Sequence, residues 1–129
     1  VSVSSSPEGY WKTIDDETNK AKSIVYIWKK NGKLYGKIQK LFLEPNEDPN
    51  PVCDKCEGSL KGKPVIGMRI LWDMVQDGTE WTDGRIMDPE SGNTYSCTME
   101  VQDNGKTLKV RGYMGVSLLG RTQVWQRAQ

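Results

Sequence analysis

Turn signals recur along this chain at near-regular intervals, and short β-type runs fill the gaps between them. The clearest are Asn31-Gly32, Asp77-Gly78, Asp88-Pro89 with Ser91-Gly92, and Asn104-Gly105. Asn-Gly and Asp-Gly accept the positive φ that a two-residue hairpin turn requires, so each instructs a strand to reverse. The runs between them predict strands over residues 9–14, 23–30, 33–42, 65–72, 80–87, 94–101, 106–113 and 120–127. Alternation is plainest in the sixth. There Tyr95, Cys97, Met99 and Val101 share one face, and Ser96, Thr98 and Glu100 the other, the mark of a half-buried antiparallel strand. Eight short strands in succession predict an all-β fold, an eight-stranded antiparallel up-and-down barrel. At that strand number a closed interior is either just filled by side chains or holds one small ligand. A helical turn is expected at most at 117–119 or in the long irregular stretch 43–64, which holds four of the six prolines.

A length of 129 residues suits one domain, here assigned to 9–129, with 1–8 read as a disordered N-terminal stub. The Ser-rich start fits either the remnant of a removed signal peptide or a cut end. A net charge of +1, with both signs interspersed, gives no electrostatic reason to expect nucleic acid. No apolar run approaches the roughly 18 residues that span a bilayer. Histidine is absent. That removes imidazole acid/base catalysis, Ser-His-Asp and Cys-His nucleophiles, and imidazole metal ligation together. No catalytic residue, metal site or cofactor is assigned from the sequence.

Cys53-x-x-Cys56 is the sharpest local signal. It reads as a disulfide stapling the long loop, as free thiols, as half a metal site completed by Cys97 and a carboxylate, or as a redox pair. The redox motif normally opens a helix in a βαβ unit, which is missing, and a structural zinc site wants four ligands, so the staple is preferred. Cys97 fits a small buried core position. Asp73, Asp83 and Asp88 tempt one to pair carboxylates, but no spacing demands it, and Asp-Pro is a natural turn start. The aromatics Trp11, Tyr26, Trp28, Trp72, Trp81, Tyr95, Tyr113 and Trp125 read as core or as cavity lining. Trp72, Trp81 and Tyr95 lie near strand ends where a barrel mouth would open, and are assigned as apolar ligand wall. Arg121 is assigned as a polar anchor for that ligand. Arg111, alternating with Leu108 and Val110, is expected to face outward. Gly36, Gly67, Gly112 and Gly115 suggest bulges or tight bends. Residues 112–120 read as a rim segment.

Two resemblances follow from particular residues. Gly9-Tyr10-Trp11 on the first strand, with Arg127 ending the last, resembles the lipocalin and calycin pattern. The resemblance implies a Trp at the closed end of the barrel covered by a late Arg, with Arg121 a rival for that role. Over 9–127 the chain is similar to the bacterial family called domain of unknown function 2147. The carrying segments are Gly9-Tyr10-Trp11-Lys12, residues 31–38, Cys53-Asp54-Lys55-Cys56 with Gly58, Gly67-Met68 leading to Trp72, residues 84–89, Gly92 with Tyr95, and Arg111-Gly112-Tyr113 through Thr122. This resemblance implies an exported protein of Gram-negative bacteria, periplasmic or secreted, and favours the cleaved-signal reading of Val1. It implies no activity. The combined expectation is non-enzymatic binding of a small apolar or amphipathic ligand in the barrel mouth. The alternatives are a filled barrel acting through its surface in the envelope or in stress, and an enzyme built on carboxylates or a thiol.

Overall fold

The computed structural model describes residues 6–15, 18–89, 91–113 and 121–128, with Arg121 described by its backbone alone. Eight strands form a closed antiparallel barrel in sequence order. They are β1 (Gly9–Ile14), β2 (Ala21–Lys30), β3 (Lys33–Leu41), β4 (Arg69–Asp77), β5 (Glu80–Met87), β6 (Thr94–Gln102), β7 (Thr107–Tyr113) and β8 (Arg121–Arg127). Closure comes from β1 against β8, in the register Trp11↔Arg127 and Lys12↔Gln126. Each strand therefore has a partner on both sides, and no edge is left open for pairing with another chain.

Period-two patterning places the core. Val25 and Ile27 on β2 are buried, as are Leu34 and Ile38 on β3, Cys97 and Met99 on β6, and Leu108 and Val110 on β7. Their neighbours in sequence point to solvent, because successive strand residues face opposite sides. The Asn31-Gly32 turn has φ of 53° and 78°, the left-handed pair that a tight hairpin requires. The fourth strand starts later than its expected 65–72. Val65 to Met68 form a turn, with the Met68 amide donating to the Val65 carbonyl, and Gly67 takes φ of 91°. The chain then rejoins β3 through Gly67 N to Ile38 O and Ile38 N to Met68 O.

One barrel end is closed by Trp11. The Arg127 guanidinium carbon lies 4.2 Å from the Trp11 ring centroid. Arg127 also donates to the carbonyls of Gly105, Glu8 and Ser6. The Trp11 indole N–H donates to the Pro7 carbonyl at 2.7 Å, and Pro7 is fully buried. Of the stretch 1–8 read as a disordered stub, Ser6 to Glu8 are described, and their carbonyls cap this end. Residues 1–5 lie outside the described residues.

At the opposite end, the 42–68 connection packs against the turn that follows β5. Cys53 and Cys56 form a disulfide. A small ladder holds the segment: Val52 bridges Pro64, Cys53 N donates to Lys63 O, and Gly62 N to Cys53 O. Gly58–Leu60 form a 3-10 turn inside it, and the 117–119 alternative lies outside the described residues. Both cysteines are buried, the Cys53 sulfur 3.3 Å from the Pro89 carbonyl oxygen and the Cys56 sulfur 3.8 Å from the Met87 Sδ. The staple thus fastens the loop to the turn after β5. Chain-entropy arguments give about 2 kcal/mol for closing so short a loop. Replacing both cysteines with alanine is expected to lower stability by about that much while the barrel circular dichroism is kept, and to open the 42–68 loop to limited proteolysis.

Candidate functional site

The inner wall falls into two zones along the barrel axis. Toward the Arg127 end it is solid: Trp11, Ile27, Leu34, Met74, Trp81, Met99, Leu108 and Trp125 are all buried. Toward the disulfide loop the inner face carries Leu41, Ile86 and Tyr95, which are only half-buried, and Gly112. Strand pairing sets Ile86, Tyr95 and Gly112 on neighbouring strands, with Ile86↔Tyr95 across β5 and β6 and Cys97↔Gly112 across β6 and β7, while Leu41 lies on β3 opposite Ser23. A methyl group added at Gly112 would meet the Tyr95 Cβ at 3.5 Å and the Ile86 Cγ2 at 3.7 Å, ordinary contacts rather than clashes. Thr13 and Ser23, paired across β1 and β2, bring their hydroxyls to 2.6 Å and add a polar spot at this end.

Not all the residues assigned to the mouth are there. Tyr95 is. Trp81 is 5 % exposed and sits opposite Met99 near the closed end, so it is core. Trp72 pairs with Arg85, while its neighbour Leu71 is buried and pairs with Ile86. Trp72 therefore lies on the outer face. Tyr26 and Trp28 are outward too, alternating with buried Val25 and Ile27, so they are neither core nor cavity lining. For Trp72 the side was misjudged, because parity sets it and bulges reset parity; for Trp81 the end was, because the β4–β5 turn beside it lies at the closed end. Arg121 stands opposite Gly112 in register, and its side chain is outside the described residues. Residues 114–120, including Gly115 of the expected rim segment, are also outside them.

Outside the barrel, β4 and β5 form an open groove of about 590 Å³, lined by Trp72, Asp73, Val75, Asp83, Arg85, Lys33 and Thr94. Asp73 and Asp83 have φ of 57° and 62°, at irregularities of adjacent strands. A left-handed Asp inside a strand breaks the alternation and turns the following residues over, which is how Met74 and Gly84 come to face inward. The Tyr35 hydroxyl donates to Asp73 Oδ1 at 3.1 Å. Its phenol is held above the ordinary range, first by desolvation, then by that hydrogen bond and the Asp73 charge, against the opposing effect of Arg69. Asp88 belongs to a turn, accepting from the Gly92 amide and the Ser91 hydroxyl. No three His, Cys, Asp or Glu side chains converge as metal ligands among the described residues.

Cys97 is a free, buried thiol whose burial pushes its pKa up to about 12. A thiol so held is neither a nucleophile nor a redox partner at neutral pH. An aromatic-disulfide thiol reagent is expected to find no reactive thiol in the native protein. It should find one per chain in denaturant and three after reduction, as the three cysteines and one disulfide require.

A closed eight-stranded up-and-down barrel with a Trp–Arg closure at one end is a lipocalin-like barrel. The chain belongs to the family described as "Uncharacterized protein conserved in bacteria (DUF2147)", whose model matches residues 9–127. Among solved structures it resembles one described as "Protein HP1028 from the human pathogen Helicobacter pylori belongs to the lipocalin family". The TM-score is 0.81 at 19% sequence identity, over 98% of this chain and 85% of that one. At that identity the likeness is one of fold. No curated protein matches the sequence.

Proposed function

We propose that this protein binds a small, partly apolar ligand between the disulfide loop and the solid core, without chemistry, in an oxidising compartment outside the cytoplasm. The observation that carries the reading is the half-buried inner face of Ile86 and Tyr95 beside Gly112, with half-buried Leu41 at the same end, above the buried side chains of Trp11, Leu34, Met74, Met99 and Leu108. Barrel mouths are favoured ligand sites, because they offer apolar walls with a few convergent polar groups. Here the Thr13–Ser23 hydroxyl pair supplies such groups. The disulfide is compatible with export, since such bonds persist in oxidising compartments. No described helix is long and apolar enough to cross a membrane.

The test is displacement of a fluorescent apolar probe, N-phenyl-1-naphthylamine. The native protein is expected to enhance its emission saturably. Gly112→Val projects two methyl groups from the wall of the layer, and it should abolish the enhancement. A β-branched residue at this strand position and ordinary contacts around the new Cβ should leave stability within about 1 kcal/mol of wild type. Equal enhancement by wild type and Gly112→Val would remove the mouth as the site.

A further inference from the structure

We infer that the groove outside β4 and β5 is a second binding site, independent of the mouth, for an uncharged glycan chain. The groove is lined by Trp72 and by four charged side chains of balanced sign, Lys33, Asp73, Asp83 and Arg85. Its volume of about 590 Å³ falls within the range of about 300–1,000 Å³ that small-ligand sites occupy. Among the described residues, no hydrogen bond, ion pair or ring contact involves the side chains of Trp72, Asp83, Arg85 or Lys33. Asp83 and Arg85 thus line one groove with opposite charges and do not pair. Trp72 keeps its indole N–H and its ring face for a ligand.

Asp73 is the exception, and its one bond prepares it. The Tyr35 hydroxyl donates to Asp73 Oδ1 at 3.1 Å, which orients the carboxylate and leaves Oδ2 to accept. Tyr35 is itself held. The Arg69 guanidinium lies 5.0 Å from its ring centroid and 5.3 Å from that of Trp28, and the row of rings continues through Tyr26 to Tyr10. With a guanidinium already over Tyr35 and Trp28, this outer ring row is a support for the groove and not a stacking surface.

A pyranose ring has an apolar C–H face and a rim of hydroxyls that both donate and accept. The C–H face suits the open face of Trp72. Carboxylates accept from the hydroxyls, and guanidinium and ammonium groups donate to them, with the added strength of a charged partner. Charge then decides the class of glycan. Asp73 and Asp83 repel an anionic chain, and Lys33 and Arg85 repel a cationic one. The signs are mixed in strand order, with Lys33 on β3, Asp73 on β4, and Asp83 and Arg85 on β5, so the groove has no two poles to match a zwitterion. Three strands span about 10 Å, enough to seat a disaccharide segment.

The experiment is calorimetric titration, at physiological ionic strength and mildly acidic pH, with chains that differ in charge. Chitin hexasaccharide and cellohexaose are neutral, a chitosan hexasaccharide is cationic and a hyaluronan octasaccharide is anionic. A neutral chain is expected to bind, with the chitosan and hyaluronan chains each about fivefold weaker or more. Trp72→Leu, which removes the ring and keeps an apolar side chain, should weaken the neutral chain about tenfold. Arg85→Met, which keeps the stem and removes the donors, should weaken it about fivefold or more. Arg85 is exposed on its strand, so this variant serves even where Trp72→Leu fails to fold by circular dichroism. Gly112→Val should bind the neutral chain as wild type does. Four results would overturn the inference: no binding of either neutral chain at millimolar concentration, a charged chain bound as tightly as the neutral ones, unchanged affinity in the folded groove variants, or loss of glycan binding in folded Gly112→Val.

Discussion

Replacing Trp11 with alanine should destabilise the protein by about 3–5 kcal/mol, the range for removing a buried Trp from a core. Trp11 has no exposed surface, and its indole N–H is bonded to the Pro7 carbonyl. The loss is therefore a large cavity combined with an acceptor left unpaired. At roughly 3–5 °C per kcal/mol for a domain of this size, the thermal midpoint should fall by at least about 10 °C. The effect should reach Arg127, whose guanidinium rests on the ring and ties together Ser6, Glu8 and Gly105. A double-mutant cycle between Trp11→Ala and Arg127→Met should give a coupling energy of about 1 kcal/mol or more, since the two side chains are in contact and share one network. Additive single effects would show that the guanidinium and the ring act separately, and that barrel closure rests on backbone pairing alone.

Gly84→Ala should be nearly as severe, about 3 kcal/mol, although it adds only one methyl group. An added Cβ would stand 2.0 Å from Met74 Sδ and 2.6 Å from the Trp72 carbonyl oxygen. The methionine end can swing away, but the carbonyl belongs to the β4 backbone and cannot move without shifting the strand. Met74→Ala in the same chain should therefore recover only part of the loss. Gly112→Ala is the matched control, where the new methyl makes ordinary contacts and stability should change by less than about 0.5 kcal/mol. Chemical denaturation of the three variants beside wild type measures this directly. A mild Gly84→Ala would mean that β4 and β5 are not held as closely as the paired irregularities at Asp73 and Asp83 require.

Much of the fold was legible because turn chemistry is local. Asn31-Gly32 needs only its own backbone preference to set the hairpin, and the bounds of β1 and β5 follow from such punctuation. The start of β4 was not legible in the same way. Val65 to Met68 look β-prone, yet they turn back to pair with Ile38, and that pairing is tertiary. The Cys53–Cys56 staple was readable from its spacing and the absence of a βαβ context, but not where it would fasten. Its seat against Met87 and Pro89 comes from the topology that brings the two connections to one end.

The mouth was harder to read than the barrel. Tyr95 could be placed because its strand alternates without interruption. Trp72 could not, because the left-handed Asp73 resets the alternation on its strand and an Asp at positive φ has no unique sequence mark; Trp81 faces inward as expected, but the Asp77-Gly78 turn beside it lies at the closed end, and which turns share an end is set by topology. The outer ring row did have a signal. In Ile24-Val25-Tyr26-Ile27-Trp28, aliphatic and aromatic residues alternate from Val25 onward, so a buried Val25–Ile27 pair forces Tyr26 and Trp28 to the other side. Pooling the aromatics by type rather than by parity hid that face.

The most direct test of a ligand carried in the barrel mouth is native mass spectrometry of the protein recovered from the cell that makes it, beside a denatured control. The account predicts a reproducible extra mass on the folded chain, lost on denaturation and missing from Gly112→Val. A folded chain at its bare mass, less two hydrogens for the single disulfide, would contradict it and leave a filled barrel that acts through its outer face.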